Sequence, residues 1–378
     1  MTGRGIGGNR SCSEQIGSLD VKVGVVGCGY WGPHLIRNLF DMVDVELVVV
    51  AEQRDERLQY LRRSYPTVRL FADYRKLLEC DIDAVVIATP IQTHFELARD
   101  ALLAGKHILV EKPLATNVAE ATELVRLAAA EDRILMVGHT FLYNPAVREL
   151  RRLVQEGELG RIYYGDSARL NLGLFQRHAD VVWDLAPHDI SILTYVLGQR
   201  PVEVSARGST CVRPDVHDVC YLQLMFSGGT SVNVHVSWLD PDKVRRLTLV
   251  GDRRMAVYND VSTVDRLRIY DSGIECPNVD NYGEFELAYR HGGISIPYIA
   301  WREPLRMECE HFVHCVRTGE EPLSGGQQGL VVVAALEAAS RSLTNGGTRE
   351  RVEITGPEPG WAAGYSNGRL GLASATAS

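Results

Sequence analysis

Between residues 20 and 142, short apolar runs rich in β-branched residues alternate with stretches of helical periodicity. Uninterrupted apolar runs are typical of strands buried on both faces, and the amphipathic stretches between them predict helices. The predicted strands are 21–26, 45–51, 83–88, 107–110 and 134–137, and the predicted helices are 32–40, 55–64, 93–104 and 117–130. This alternation predicts a doubly wound parallel sheet of the α/β class over residues 20–142, with Thr116 or Asn117 capping the last helix.

After residue 142 the apolar positions alternate with polar ones, as they do in strands that are buried on one face only. The predicted strands are 161–170, 202–207, 218–226, 230–238 and 245–250, and the predicted helices are 304–317 and 325–344. Ser227, Gly228 and Gly229 supply a hairpin turn between two of these strands. The pattern predicts a second, α+β domain over 143–355 with an open, largely antiparallel sheet.

Composition narrows the class of protein. The 378 residues carry 48 acidic and 40 basic side chains, a net charge of −8, with no run of Lys or Arg, so we expect neither a nucleic acid nor an anionic membrane as partner. The eight cysteines form no C-x-x-C pair, which favours reduced thiols and a cytoplasmic protein. No run of 18 apolar residues predicts a membrane span. Residues 1–19 lack the apolar core of a signal peptide, and 1–19 and 356–378 are predicted to be flexible.

A glycine-rich turn, G-C-G-Y-W-G over residues 27–32, follows the first predicted strand and opens a helix. In this context the pattern predicts a dinucleotide-binding site of the Rossmann type. Gly27 permits the tight turn, Gly29 leaves room for a pyrophosphate, and Gly32 lets the helix approach the strand. Tyr30 and Trp31 lie in the same loop and are further candidates for cofactor contact.

The nature of the cofactor depends on Glu52, which ends the second strand 20 residues after Gly32. A carboxylate at this position accepts hydrogen bonds from the adenosine ribose and repels a 2′-phosphate, which favours NAD over NADP. Arg54 complicates the choice, because a guanidinium two residues on could hold that phosphate. NADP therefore stays open as an alternative.

Two further strand ends carry polar residues. Thr89 and Pro90 end the third strand and His94 opens the next helix, so all three are candidate cofactor contacts, with a purely structural His94 as the alternative. Glu111 and Lys112 end the fourth strand, where the nicotinamide end of the cleft is expected. A lysine at a buried strand end could polarise a hydroxyl or carbonyl oxygen, or could simply pair with a carboxylate.

These motifs together resemble the Gfo/Idh/MocA oxidoreductases, a family named for glucose–fructose oxidoreductase and inositol dehydrogenase. The resemblance spans about residues 21–354 and rests on the glycine loop and on three short segments: Ala88-Thr89-Pro90, Gly105-Lys106-His107 and Glu111-Lys112-Pro113. It implies a dinucleotide-binding domain joined to an open-sheet domain that often mediates homo-oligomerisation. It also implies oxidation or reduction of a secondary hydroxyl of a sugar or cyclitol.

The resemblance extends to a second motif, an Asp followed four residues later by a His, which residues 183–189 match. It implies that Lys112, Asp184 and His188 form the catalytic group. Pro187 suits the first turn of a helix, which would place His188 at the helix start and Asp184 just before it. The family often has Gly where Ala186 stands and Asp where Ser191 stands. These departures affect what the resemblance implies for the local backbone and the substrate contacts, and not for the proton chemistry.

Candidate substrate contacts are polar or aromatic residues near these motifs, each of which could instead serve surface or packing. They are Tyr143, Asn144, Gln176, Arg177, His178 and Trp238. A second cluster, Cys309, His311, His314 and Cys315, could be mistaken for a metal site, but no carboxylate pattern accompanies it and helix packing is the preferred interpretation. No metal is predicted.

The sequence therefore predicts an NAD(P)-dependent enzyme that moves a hydride between a nicotinamide and a secondary hydroxyl or keto group of a sugar, with a nucleotide-linked sugar favoured. An inositol or aminocyclitol dehydrogenase and an NAD-dependent glycosidase are alternatives within the same fold. A non-catalytic NAD-binding sensor is the alternative outside the enzymes.

Overall fold

A computed structural model describes residues 20–173, 175–176, 179–275 and 288–354. The predicted flexible termini and the substrate candidates Arg177 and His178 lie outside these ranges.

The first sheet is parallel throughout and has six strands. They are β1 (Val21–Val26), β2 (Val45–Ala51), β3 (Arg69–Phe71), β4 (Ala84–Ile87), β5 (His107–Glu111) and β6 (Leu135–Gly138). Their order is β3-β2-β1-β4-β5-β6, which confirms the doubly wound prediction. The strand order reverses between β1 and β4, and in such sheets ligands bind outside the carboxyl ends of the strands at this point.

Five helices connect these strands: α1 (Gly32–Phe40), α2 (Asp55–Ser64), α3 (Tyr74–Leu78), α4 (His94–Leu103) and α5 (Val118–Ala130). Of the two predicted caps of α5, Asn117 is the one used, because its side chain accepts from the main-chain N–H of Glu120 at 2.9 Å. The sequence did not predict β3 or α3. A three-residue strand beginning with an exposed Arg69 carries too little periodicity to be recognised.

The second part of the chain begins with α6 (Pro145–Gln155) and builds a nine-stranded sheet. Its strands are β7 (Ile162–Leu170), β8 (Pro201–Ser209), β9 (Val219–Phe226), β10 (Ser231–Ser237), β11 (Val244–Gly251), β12 (Met255–Asn259), β13 (Leu267–Glu275), β14 (Ala288–Ser295) and β15 (Glu350–Arg351). Every neighbouring pair of these strands is antiparallel except β7 with β10, so the largely antiparallel prediction is confirmed. The remaining helices are α7 (Val181–Leu197), α8 (Pro304–Thr318) and α9 (Gly326–Thr344).

Helix α7 corrects one prediction. It begins at Val181, with the Asp180 carboxylate accepting the N–H of Trp183 at 3.0 Å as its cap, and Pro187 lies inside the helix. His188 is therefore in the second turn rather than at the helix start. A proline at this depth costs one backbone hydrogen bond, which the packing of α7 tolerates, so the rule that places Pro in a first turn was misleading here.

Two helices connect the two sheets. Helix α9 packs on strand β8 and helix α7 of the second part of the chain. It also packs on helix α5 and strand β6 of the first part. Helix α8 packs against α1 and against the 3₁₀ turn Thr140–Tyr143. These contacts bring the carboxyl edge of the first sheet against the start of α7. Among the described residues, no helix has the length and apolarity needed to cross a bilayer.

Candidate active site

The glycine loop is shaped by close backbone approach. Gly27 has φ +99°, and a Cβ there would lie 2.6 Å from the carbonyl oxygen of Ala88. A Cβ on Gly32 would lie 2.4 Å from the carbonyl oxygen of Gly27. A Cβ on Gly29, by contrast, would meet no atom closer than Nη2 of Arg54, 3.9 Å away. The loop is thus tight where helix meets strand and open where a pyrophosphate is expected.

Tyr30 and Trp31 stand on the outer side of this loop. Tyr30 is 76% exposed and Trp31 is 40% exposed, and their rings meet edge to face at 6.0 Å. Both side chains are accessible beside the glycine loop. Their predicted cofactor contact stays a prediction.

Glu52 follows β2 and is almost fully buried. Its carboxylate accepts the N–H of Cys28 at 2.7 Å and the N–H of Arg54 at 2.9 Å, and it pairs with the Arg54 guanidinium at 3.1 Å. Burial acts to raise the pKa of Glu52, but the hydrogen bonds from Arg54 and Cys28 outweigh it and leave the pKa below its ordinary value. Glu52 is therefore an anion fixed against the glycine loop.

Thr89, Pro90 and His94 lie where β4 passes into α4. The Thr93 hydroxyl lies 2.8 Å from the hydroxyl of Thr89 and 2.8 Å from the carbonyl oxygen of Pro90. His94 is 1% exposed, and its ring nitrogens face the carbonyl oxygens of Pro113 at 2.8 Å and Thr89 at 2.9 Å. Burial lowers the pKa of His94 despite these two acceptors. Its contacts brace two loops of the cleft, and a direct contact with a cofactor stays a prediction.

Glu111 ends β5 and lies against the end of β6. Its carboxylate accepts the N–H of Lys112 at 3.3 Å. A Cβ added at Gly138 would lie 3.1 Å from the same carboxylate. Burial raises the pKa of Glu111 to about 7, although the charge of Lys112 opposes that rise. A second buried carboxyl, Glu308 of α8, accepts a hydrogen bond from the Thr140 hydroxyl at 2.8 Å. Burial and the charge of Glu111 raise the pKa of Glu308, so this corner favours protonated carboxyls.

Lys112, after β5 of the first sheet, contacts helix α7 of the second part of the chain. Its ammonium donates to the main-chain oxygen of Asp184 at 2.7 Å and lies 3.6 Å from the Asp184 carboxylate. Only 11% of the lysine side chain and 24% of the aspartate side chain are exposed. The lysine after β5 and the aspartate in the first turn of α7 are thus brought together. Their catalytic roles stay a prediction.

His188 lies one helical turn beyond Asp184. Its ring packs edge to face on Phe141 at 5.0 Å, and Nδ1 is enclosed without a hydrogen-bond partner among the described residues. Burial first, and then the positive charges of Lys112, Arg169 and Arg245, hold the pKa of His188 well below its ordinary value. His188 is therefore a neutral imidazole at physiological pH, which is the form that accepts a proton.

Trp238 holds Asp184 from the opposite side. Its indole N–H donates to the Asp184 carboxylate at 3.0 Å, and its side chain is 1% exposed beside Phe175. A buried indole does not face a substrate, which corrects the prediction of Trp238 as a substrate contact. Trp238 instead fixes the carboxylate that faces Lys112.

The predictions of Tyr143 and Asn144 as substrate contacts are also corrected. Tyr143 is fully buried, with its hydroxyl 2.9 Å from Nδ1 of His311. Asn144 is 1% exposed; its oxygen caps α6 on the N–H of Ala146, and its amide donates to the hydroxyl of Tyr258 at 3.0 Å. Both side chains are satisfied within the protein and do not face a substrate. Asn144 caps the start of α6, whereas Tyr143 bonds to His311 of α8.

Gln176 is exposed, and its main-chain oxygen accepts from the guanidinium of Arg213 at 2.9 Å. Its role toward substrate stays a prediction. In the cysteine and histidine cluster, Tyr143 engages His311, and His314 lies 3.1 Å from the carboxylate of Glu320. Among the described residues no group of three or more His, Cys, Asp or Glu has the arrangement of a metal site.

A buried ion pair behind His188 was missed by sequence reasoning. Asp189 accepts from Nε of Arg169 at 2.7 Å and from the Ser167 hydroxyl at 2.8 Å, and the two charged side chains are only 4% and 5% exposed. The Arg169 guanidinium lies 4.6 Å above the ring of Phe141. No local signal along the chain predicted this pair, because side chains alternate between the two faces of a strand and those that share the Arg169 face of β7 include Gly165 and Ser167.

The residues present fit a dinucleotide. The open face at Gly29, the buried anion at Glu52 and the strand ends at Thr89 and Lys112 lie along one edge of the first sheet. Of these residues, Glu52 would hold the adenosine ribose and the loop N–H groups would hold the pyrophosphate. The Lys112, Asp184 and His188 group lies at the other end of that edge.

Comparison with protein families agrees with both halves of the chain. Residues 21–139 match the model described as "Oxidoreductase family, NAD-binding Rossmann fold". Residues 147–257 match the "GFO/IDH/MocA C-terminal domain".

Several of the similar proteins are dehydrogenases. The chain is 25% identical over 350 residues to myo-inositol 2-dehydrogenase of Thermotoga maritima, covering 89% of this chain and 100% of that protein. It is 31% identical over 226 residues to inositol 2-dehydrogenase 2 of Saccharopolyspora erythraea, covering 58% of this chain and 67% of that protein. The solved structure of UDP-N-acetylglucosamine 3-dehydrogenase from Acidithiobacillus ferrooxidans is similar with a TM-score of 0.72 and 26% identity, covering 86% of this chain and 98% of that one.

Proposed function

The chain belongs to the GFO/IDH/MocA family of NAD-binding oxidoreductases, and on that basis we propose that it oxidises or reduces a sugar at a secondary hydroxyl or keto group. A nucleotide-linked sugar is the substrate we put first, and an inositol or aminocyclitol is second. The relatives described above support both, since they include inositol dehydrogenases and a UDP-N-acetylglucosamine dehydrogenase. The contact of Lys112 with Asp184, one turn before His188, is the observation that carries the proposal.

The catalytic roles follow from the state of each side chain. When bound, NAD supplies the hydride acceptor. His188 is neutral and Nδ1 is enclosed, so Nε2 is the nitrogen left to take the proton of a substrate hydroxyl. A lysine ammonium has three N–H donors, and Asp184 engages Lys112 through a main-chain oxygen and a carboxylate. The remaining donor can bind the substrate oxygen and stabilise negative charge on it.

The test measures NADH absorbance with a panel of nucleotide sugars, free sugars and cyclitols. With an accepted substrate, Lys112→Met and His188→Ala should each lower turnover by about 10²–10⁴-fold, while the Kd of NAD stays within about threefold. The matched controls are Lys106→Met and His314→Ala. In the wild-type chain the Lys106 ammonium binds the carbonyl oxygen of Ile82, and His314 lies partly exposed on α8 beside Glu320. Both controls should retain full turnover.

Three outcomes would contradict the proposal. Unchanged turnover in both active-site variants would remove the assigned roles. Glycoside cleavage without net NADH would identify an NAD-dependent glycosidase. Tight NAD binding with no turnover across the panel would indicate a sensor.

We also propose that the protein is a homo-oligomer and that it works in the cytoplasm. The outer face of the second sheet supports the first point, because Tyr164 and Tyr221 lie on the same face of neighbouring strands and are 46% and 58% exposed. The described free cysteines, among them the buried Cys28 and Cys220, support a reducing compartment. Light scattering of the purified protein tests the oligomer, and a single-chain mass would contradict it.

A further inference from the structure

The face of the second sheet that packs on α7 carries an arginine at the edge where the packing ends. Strand β11 pairs with β7 so that Arg245 lies opposite Arg169, and the next two residues of β11 on the same face, Leu247 and Leu249, are buried. The Arg169 side chain is 5% exposed, whereas that of Arg245 is 36% exposed. Arg245 is therefore a charged residue at the open end of a row of core-facing positions.

Phe141 connects Arg245 to the predicted proton acceptor. The centroid of its ring lies 5.0 Å from that of the His188 ring and 5.8 Å from Cζ of Arg245. After burial, the positive charges that lower the pKa of His188 include that of Arg245. The guanidinium and the imidazole thus lie around one phenyl ring, close enough for one substrate molecule to contact both.

The Arg245 guanidinium has donors to spare. Within the part of the chain that the structure describes, its one side-chain hydrogen bond runs from Nη1 to the carboxylate of Asp260 at 3.2 Å. An arginine presents five N–H donors in a planar fork, so Nε and Nη2 of Arg245 are left to bind a ligand. Carboxylate and phosphate groups match this fork with two parallel hydrogen bonds.

The charges around Arg245 leave an excess of positive charge. Asp260, its partner, also lies 3.7 Å from Nη1 of Arg266, so one carboxylate faces two guanidiniums. The neighbouring cations Arg169 and Lys112 each have a carboxylate of their own. The surplus charge therefore belongs to the Arg245 corner, and a half-buried surplus of this kind attracts an anionic ligand.

We propose that Arg245 is a specificity-determining residue and that the substrate is an acidic sugar, whose carboxylate or phosphate oxygens bind the Arg245 guanidinium while the reacting hydroxyl lies at His188. The inference rests on the proposed function, because it uses the same site and the same proton acceptor. It narrows the substrate from sugars in general to sugars that carry an oxyanion. A neutral sugar or cyclitol would leave Nε and Nη2 of Arg245 without that partner, and a site built for a polar group discriminates against ligands that lack it.

The experiment is calorimetric titration of the NADH-loaded chain, in which a substrate hydroxyl cannot be oxidised, with matched pairs of sugars. Glucuronic acid is compared with glucose to test a carboxylate, and UDP-N-acetylglucosamine is compared with N-acetylglucosamine to test a phosphate. In at least one pair we expect the acidic member to bind at least about tenfold more tightly than its neutral partner. The pair that shows this preference identifies the oxyanion.

Arg245→Met should reduce the preference to less than about threefold, because methionine cannot donate to the oxyanion. Arg246→Met is the matched control. It removes the same charge from the next position of the same strand, where the side chain is exposed on the opposite face. It should leave the Kd of the acidic sugar within about threefold. Arg245→Lys, which keeps the charge and loses the fork, should give an intermediate Kd.

Thermal unfolding shows that each variant is folded. In Arg245→Met, Asp260 keeps the hydrogen bonds from the Tyr258 hydroxyl at 2.9 Å and the Asn144 amide at 3.1 Å, so we expect this variant to fold.

Two results would overturn the inference: acidic sugars that bind the wild-type chain no more tightly than their neutral partners, or a preference that survives in Arg245→Met. Neither would touch the proposed reaction, since a neutral sugar could still be oxidised. Conversely, an Arg245-dependent preference in a chain that turns over none of the sugars would keep this binding site and remove the proposed reaction.

Discussion

The adenosine end and the nicotinamide end of the cleft are assembled over very different distances along the chain. At the adenosine end, Cys28 and Glu52 lie 24 positions apart and follow neighbouring strands of one sheet. At the nicotinamide end, Lys112 meets Asp184 across 72 positions, and the two residues come from parts of the chain that build different sheets. The predicted ribose site therefore depends on neighbouring strands of one sheet, whereas the predicted catalytic contact depends on how α7 is held against the first sheet.

The first prediction, which has the largest expected effect, concerns the stability that the protein gains from the buried ion pair behind His188, at the nicotinamide end of the cleft. Asp189→Asn keeps the shape of the side chain but leaves Arg169 buried without its counter-charge. We expect a loss of about 3–5 kcal/mol in the free energy of unfolding, measured by urea denaturation. Glu156→Gln, which breaks the exposed pair with Arg152, is the control and should cost less than about 1 kcal/mol. A similar cost in both variants would mean that burial of the pair is unimportant.

The second prediction separates the two roles of glycine at the adenosine end. Gly32→Ala places a Cβ 2.4 Å from the carbonyl oxygen of Gly27, so it should destabilise the protein by about 1–3 kcal/mol and weaken NAD binding. Gly29→Ala meets nothing closer than 3.9 Å, so it should keep its stability and weaken NAD binding alone. Melting curves with and without NAD measure both quantities. Unimpaired NAD binding in Gly29→Ala would show that the pyrophosphate does not approach this residue.

The third prediction concerns the positioning of Asp184. Trp238→Phe removes the indole N–H that binds the carboxylate at 3.0 Å, and we expect kcat to fall by about tenfold with little change in KM. Trp183→Phe makes the same substitution on α7 and loses only a bond to the hydroxyl of Ser340. Its kcat should stay within about twofold of the wild-type value. If the two variants behaved alike, Trp238 would be a packing residue only.

The mildest change we expect is a pH dependence at the nicotinamide end. An ordinary histidine base would lower kcat/KM at pH 6 to about a third of its pH 7 value. Because burial and the nearby cations lower the pKa of His188, it stays neutral at pH 6, and kcat/KM should be nearly flat over this range. The pKa of Glu111 is about 7, so the profile is compared with that of Glu111→Gln to remove its titration. A steep acid limb in both proteins would mean that His188 has an ordinary pKa.

The first sheet was predictable because its strands are continuous apolar runs with helices between them. The bounds of β1, β2, α1 and α2 agree with the sequence to the residue. Helix α6 was missed although the signal was present: Asn144 and Pro145 mark a helix start, and the buried Ala146, Leu150 and Leu153 follow at helical spacing. Strand β14 carries no comparable signal, because nearly all its side chains are exposed.

The motifs of the site were easier to predict than its contacts. Lys112, Asp184 and His188 were identified from motifs, and the structure brings the lysine and the aspartate together. Trp238, Tyr143 and Asn144 were expected to face the substrate because of their residue types. Whether an aromatic ring or an amide points into a cleft or into a core depends on neighbours that are distant in sequence.

The parallel sheet, the glycine turn and the acidic residue beyond it could be predicted from the sequence alone, since each depends on backbone geometry and on spacing within a few tens of residues. Three features became visible in the folded chain and not before: α7 begins at Val181, Asp189 neutralises a buried Arg169, and Asp184 lies between Lys112 and Trp238. Burial and charge pairing are properties of a packed interior. They depend on which surfaces meet, and no local pattern along the chain specifies that.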